Sequence, residues 1–161
     1  MILLVESGAT KGDWRVISKD GTEVRRLTVG GTNVSAMKME AIKSIISDAC
    51  AELANEKISR IYFYTAGVVT EEISFQLAQI LRSFFPDATC DIQDDLTGAA
   101  RAVCGHKAGI AAILGTGSNS CLFDGEKIVQ RVYSCGYILG DEGSAATLGK
   151  LFIADFLKGL V

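Results

Sequence analysis

The sequence predicts an α/β protein: a mixed sheet with helices on both faces, followed by the first part of a second such sheet. Three observations carry that prediction. Residues 1–30 hold three strand-like runs joined by short polar turns. After them, segments of helical and strand period alternate. The resulting order, βββαβαβα, then starts again near residue 109 and stops after its first helix, as βββα.

The first three strands are predicted at 2–6, 13–18 and 23–29, with Lys19-Asp20-Gly21 as the turn between the last two. Consecutive strands with short turns imply an antiparallel meander. Gly30-Gly31-Thr32-Asn33 breaks the pattern. From Ser35 to Asn55 the apolar residues Met39, Ile42, Ile45, Ile46, Ala49, Cys50 and Leu53 recur at spacings of three and four. That is an amphipathic helix, with Asn33 or Ser35 as its cap. A strand over 60–67 runs into Gly67. Ile73, Leu77, Ile80, Leu81 and Phe84 mark a second helix, stopped near Pro86, the only proline. A short strand at 88–92 precedes a small-residue helix over 94–104, capped by an aspartate. Strands at 109–114, 119–123 and 126–132 follow, with Asp124-Gly125 as a hairpin signal, and a final helix covers 142–158. Domain limits at 1–107 and 108–161 follow from the restart.

Composition narrows the classes. An apolar fraction of 48% against 22% charged residues describes a soluble globular chain with a core. A net charge of −3 leaves no basic footprint, so nucleic acid is not an expected partner. No apolar run approaches the roughly 20 residues that span a membrane, and Met1-Ile2-Leu3-Leu4-Val5-Glu6 lacks the cationic start of a signal peptide. Five cysteines without a C-x-x-C pair suggest reduced thiols and a cytoplasmic location. With His106 the sole histidine, in a loop between Gly105 and Lys107, a zinc site is not expected.

The chemistry gathers in glycine-rich turns. Ile110-Ala111-Ala112-Ile113-Leu114 reads as a strand that breaks into Gly115-Thr116-Gly117-Ser118, and Cys121-Leu122-Phe123 resumes the strand pattern. Two glycines around a hydroxyl residue let backbone approach a ligand and present N–H groups to an anion. The same idea occurs after the first strand, in Glu6-Ser7-Gly8-Ala9-Thr10-Lys11-Gly12-Asp13. Two such units could close on opposite ends of one polyphosphate. A third glycine-rich stretch, Leu139-Gly140-Asp141-Glu142-Gly143-Ser144, precedes the last helix.

These stretches, with Asp94-Asp95-Leu96-Thr97-Gly98, carry a resemblance to the actin-like ATPase and sugar-kinase superfamily, whose domains have a ribonuclease H-like sheet. Within it the chain resembles the N-acetylglucosamine kinase and BadF/BadG-type ATPase family. The resemblance implies ATP-dependent phosphorylation of an amino sugar, N-acetylglucosamine first, at a primary hydroxyl, with ATP and Mg2+ as cofactors. It implies that Gly8, Thr10 and Lys11 grip the nucleotide's distal phosphates, matched from the second domain by Gly115, Thr116 and Gly117. It implies Asp95 as the catalytic carboxylate that accepts the sugar hydroxyl's proton. Asn33, Ser118, Gly136 and Asp141 fall where the sugar is held, and Glu6 where Mg2+ is met through water. Such roles suit phosphoryl transfer, which asks mainly for positioning and charge neutralisation. Each residue also has a plainer reading: Asp94 and Asp95 as helix caps, Asn33 as a cap or turn residue, Asp141 and Glu142 as an acidic first helical turn, Trp14 as core, Lys11 as a solvated turn lysine.

The chain departs from the family pattern at Glu6, where an aspartate is usual, at Ala9 and Gly12, and at Ser134-Cys135-Gly136, which lacks an aromatic wall. Three strands ending the chain at Val161 would leave an edge that needs covering, so the expected partners include a second copy, or another chain or segment completing the domain. Two further readings stay open. One is an ATPase activating a partner dehydratase, a class that holds an iron–sulfur cluster with cysteines in a glycine-rich turn, to which Cys135-Gly136 corresponds. The other is a sugar-binding or regulatory module, or truncated kinase fragment, without turnover.

Overall fold

The computed structural model describes residues 1–67, 69–132 and 134–160; Val161, at the end of the second predicted domain, lies outside them. The chain forms two compact units, Met1–Gly98 and Ala99–Val161.

In the first unit, β1 (Ile2–Ser7), β2 (Lys11–Ile17) and β3 (Glu23–Gly30) form the predicted meander, and β4 (Arg60–Thr65) and β5 (Thr89–Asp94) complete a sheet of order β3-β2-β1-β4-β5. β1 is antiparallel to β2 and parallel to β4, which is parallel to β5. Parallel neighbours need a crossover, and α1 (Met39–Glu52) and α2 (Glu71–Phe84) supply it. Alternate strand residues then share a face. Leu3 and Val5, Trp14 and Val16, Ile61 and Phe63, and Ile92 pack with Ile42, Ile46, Leu77 and Leu81 of the two helices into one core. Burying each large apolar side chain contributes about 1.5–3 kcal/mol. Trp14 meets Phe63 edge to face, 5.8 Å between centroids at 87°. On the other face, Gly98 in the first turns of α3 (Asp95–Cys104) backs onto Tyr64, the strand neighbour of Phe63, where a Cβ would sit 2.8 Å from the ring.

The turn chemistry behaves as read. Asp20 Oδ1 accepts from the Thr22 amide at 3.2 Å in the β2–β3 turn. Two details differ. The first helix begins at Met39 rather than near Ser35, with Lys38 at its N-cap and no side-chain cap bond. Asn33 instead accepts from the Ser35 amide at 3.0 Å in a turn of its own, which spends its oxygen locally. β2 begins at Lys11, so the polar turn before it is shorter than predicted.

In the second unit, β6 (Gly109–Leu114), β7 (Ser118–Phe123) and β8 (Ile128–Arg131) form an antiparallel sheet. Asp124 Oδ1 accepts from the Glu126 and Lys127 amides, both at 2.8 Å, closing the β7–β8 turn. Ala111, Cys121 and Phe123 are buried. Two helices follow, α4 (Gly136–Leu139) and α5 (Ala145–Leu157). α4 is too short to show a period in sequence. The last helix starts three residues later than predicted because Asp141 (φ 59°) and Gly143 (φ 76°) take left-handed backbone, which no right-handed helix accommodates. Asp141 and Glu142 are therefore not its acidic first turn; Ser144 caps it, accepting from the Thr147 amide at 3.2 Å. Leu151, Phe152 and Phe156 of α5 are more than half exposed. All five cysteines are free thiols. No helix among the described residues is long and apolar enough to cross a membrane.

Candidate functional site

In the first unit the predicted residues collect at one end of the sheet, beyond the carboxyl ends of β1, β3, β4 and β5, where open α/β sheets bind ligands. The β1–β2 turn closes with the Gly8 amide donating to the Lys11 carbonyl at 3.0 Å. The Gly31 amide donates to the Thr10 carbonyl at 3.1 Å, so the loop after β3 rests on the turn. That approach requires glycine: a Cβ on residue 31 would lie 2.3 Å from the Gly8 carbonyl oxygen. The amides of Ala9 and Thr10 donate to no described residue, and the side chains of Thr10 and Lys11 are exposed. A turn of this kind can present N–H groups to an anion.

Behind the turn lie three hydroxyls that sequence reading passed over. On the core face, Leu3 and Val5 are followed by Ser7, and Ile61 and Phe63 by Thr65. Ser7, Thr32 and Thr65 are 0%, 1% and 0% exposed. Ser7 Oγ accepts from the Thr32 amide at 2.9 Å and from Thr32 Oγ1 at 2.8 Å. Thr65 Oγ1 donates to the Thr32 carbonyl and lies 2.9 Å from Thr32 Oγ1. The only signal in the sequence is a hydroxyl where the apolar alternation calls for a hydrocarbon. Next in the chain, Asn33 bridges to Ala66, and the Val34 amide donates to the Ala66 carbonyl at 3.0 Å. With Oδ1 bonded to Ser35, the group of Asn33 left for a ligand is its Nδ2 donor.

The carboxylates divide by environment. Asp94 caps α3, its Oδ1 accepting from the Thr97 amide at 2.8 Å and from Thr97 Oγ1 at 2.9 Å. Asp95, half-buried at the start of α3, accepts one bond, from the Leu96 amide to Oδ1 at 2.9 Å. Burial pushes its pKa up to about 6 against that bond, with Asp94 and Glu6 adding repulsion. Glu6 is also raised, first by desolvation and then by Asp13, its partner across the β1–β2 ladder; Lys11 opposes the shift. Burial works to raise Asp13 too, but hydrogen bonds from Arg15 (2.9 Å) and Arg26 (2.7 Å) bring it below the ordinary range. Among the described residues no group of three or more His, Cys, Asp or Glu could hold a metal ion.

In the second unit the Gly115–Ser118 turn is closed by the Gly115 amide donating to the Gly117 carbonyl at 2.9 Å. It is seated on the start of α5, whose Ala145 and Ala146 amides donate to the Gly115 and Thr116 carbonyls at 2.9 and 3.3 Å. Asp141 is 9% exposed, and its Oδ1 accepts from the Ser118 amide at 3.2 Å and from Ser134 Oγ at 3.1 Å. The amides of Thr116 and Gly117 donate to no described residue. A cleft of about 250 Å³ opens beside the turn, lined in part by Ser118, Asn119, Ser134 and Glu142. The structure thus brings Ser118, Gly117 and Asp141 together; Gly136 starts α4 with φ 68°.

No protein-family model matches the chain, and no curated protein matches it. Solved structures do. A candidate N-acetylglucosamine kinase from Porphyromonas gingivalis is 44% identical with a TM-score of 0.88, over 99% of this chain and 57% of that one. A second candidate N-acetylglucosamine kinase, from Chromobacterium violaceum, gives a TM-score of 0.67 at 21% identity, over 93% of this chain and 54% of that one. A ROK family glucokinase from Streptomyces griseus, in complex with glucose and AMPPNP, gives 0.58 at 20% identity, over 78% and 46%. The latter two likenesses concern the fold alone. The chain spans a little over half the length of the first two. By fold and, toward the Porphyromonas gingivalis protein, by sequence, this chain resembles the N-acetylglucosamine kinases of the actin-like ATPase and sugar-kinase superfamily, and it carries that superfamily's fold.

Proposed function

We propose that the protein acts in the ATP-dependent phosphorylation of an amino sugar, N-acetylglucosamine first, at a primary hydroxyl. One observation supports this above the others: Asp95 keeps one carboxylate oxygen without a described partner, at the carboxyl end of β5, with its pKa raised to about 6. Such a group is ionised at neutral pH yet basic enough to take a hydroxyl proton as the phosphoryl group arrives; general base catalysis of this kind contributes about 10²–10⁴-fold. The 44% identical relative supports the same reading.

In this reading the sugar hydroxyl donates to Asp95, and Asn33 Nδ2 donates to an oxygen of the sugar. Ser118, Gly136 and Asp141 are the sugar contacts proposed for the second unit. The N–H groups of residues 9–10 and 116–117 meet phosphate oxygens as preorganised donors, with Gly8, Gly115 and Gly117 shaping the turns. Thr10 and Lys11 add a hydroxyl and a positive charge. Phosphate charge would be neutralised by Mg2+ carried on the nucleotide, which needs few protein ligands; Glu6 is the carboxylate placed to meet it through water.

Calorimetric titration with N-acetylglucosamine and with Mg-ATP, followed by a coupled assay for ADP, tests the proposal. Binding of both and sugar-dependent ADP release are expected, and Asp95→Asn should abolish release while sugar binding persists. Full activity in that variant would remove Asp95 from the mechanism. Sugar binding without ADP release would instead identify a non-catalytic module.

A further inference from the structure

We propose that Ser7, Thr32 and Thr65 form a positioning device that orders the first phosphate-binding turn and the sugar-facing Asn33 as one element. The inference rests on the ligand assignments of the proposed function, but its structural core is independent of them. A buried hydroxyl costs free energy unless it is hydrogen-bonded. Three of them close on one another here, at the only places where the core rows Leu3-Val5-Ser7 and Ile61-Phe63-Thr65 turn polar. Both rows end beneath the loop that carries Thr32.

The position of Thr32 in the chain gives the network its reach. On one side Gly31 donates to Thr10 and lies against Gly8 and Ala9. On the other side Asn33 bridges to Ala66, and the Ala66 amide donates back to the Ser7 carbonyl at 2.8 Å. Thr32 itself is held through its amide, carbonyl and hydroxyl alike. Such a residue has little freedom to shift without carrying both neighbours. The two subsites of this unit are therefore coupled through a short segment anchored at the buried, hydrogen-bonded Thr32 rather than through ligand contact.

Thr32→Val keeps the shape and removes the hydroxyl; Thr32→Ser restores it. Amide hydrogen exchange on the full chain reads the device without any ligand. In Thr32→Val the amides of Gly8, Gly31 and Val34 should exchange about tenfold faster together, the equivalent of one lost buried hydrogen bond. Those of Phe63 and Leu81 should keep their wild-type rates, and Thr32→Ser should restore the pattern. Uniform acceleration, or acceleration on only one side of Thr32, overturns the proposal; Thr65→Val provides the same test should Thr32→Val fail to fold. Titration adds the ligand arm: Thr32→Val should weaken N-acetylglucosamine and Mg-ATP by similar factors, and weakening of one alone overturns the coupling. If the wild-type chain binds neither, the kinase reading fails and the exchange pattern decides the positioning role by itself.

Discussion

The Asp141 carboxylate accepts the Ser118 amide at 3.2 Å and fills the space beside Gly117, where a Cβ would come within 3.0 Å of Oδ2. The turn and the acid are fitted to each other, and Asp141 supports the turn's backbone whatever else it touches. Its left-handed backbone, uncommon outside glycine, is what brings the side chain round to the turn.

That fit predicts non-additivity. Gly117→Ala should destabilise by about 1–3 kcal/mol through crowding. Asp141→Ala should cost a similar ~1–3 kcal/mol by leaving the Ser118 amide without its acceptor. In the double variant the clash disappears, so thermal unfolding should show a loss smaller than the sum. Strict additivity would mean the two do not interact.

Asp95→Asn should be more stable than wild type at pH 8. The folded pKa, about 6, lies above the ordinary carboxylate value, so holding Asp95 ionised in the folded state costs free energy. The protonated form's advantage is full below pH ~4 and lost as pH rises through 6. The variant's gain, on the order of 1–2 kcal/mol after allowance for partial exposure, should therefore shrink as pH falls from 7 toward 4. Tm measured across that window checks it; a gain independent of pH would refute the assignment.

The same group predicts the rate profile of the proposed kinase. The logarithm of kcat/KM should fall with unit slope as pH drops below about 6, where Asp95 takes up a proton. A profile flat down to pH 5 would exclude Asp95 as the base.

Trp14→Ala should cost about 3–5 kcal/mol, since Trp14 is 1% exposed and edge-on to Phe63. Trp14→Phe should cost clearly less. Denaturant midpoints at unchanged slope would measure both; equal losses would show that a smaller ring at this position recovers none of the packing.

Thr70 caps α2, its Oγ1 accepting from the Ile73 amide at 3.2 Å. Thr70→Ala should cost about 1 kcal/mol and Thr70→Ser should leave the cap intact, by thermal unfolding. No loss in the alanine variant would show the cap to be replaced by water.

Much of this protein was legible from local pattern. Period and turn chemistry made the meander, the long helices and the Asp124-Gly125 hairpin readable, because those signals depend on neighbours within a few residues. The two glycine turns stood out the same way, as motifs, whereas Asp95 was singled out through the family resemblance. What residues far apart in sequence do to one another was not readable: that β4 pairs with β1, Ile2 beside Arg60, that Ser7 and Thr65 meet Thr32, that Asn33 turns toward Ala66 instead of capping a helix, and that Asp141 leaves the helix to brace Ser118. Local sequence determines which face of a strand or helix is apolar and where the chain can turn. Only tertiary structure decides which buried polar groups find each other, because each must be satisfied by whatever the fold brings within hydrogen-bonding reach.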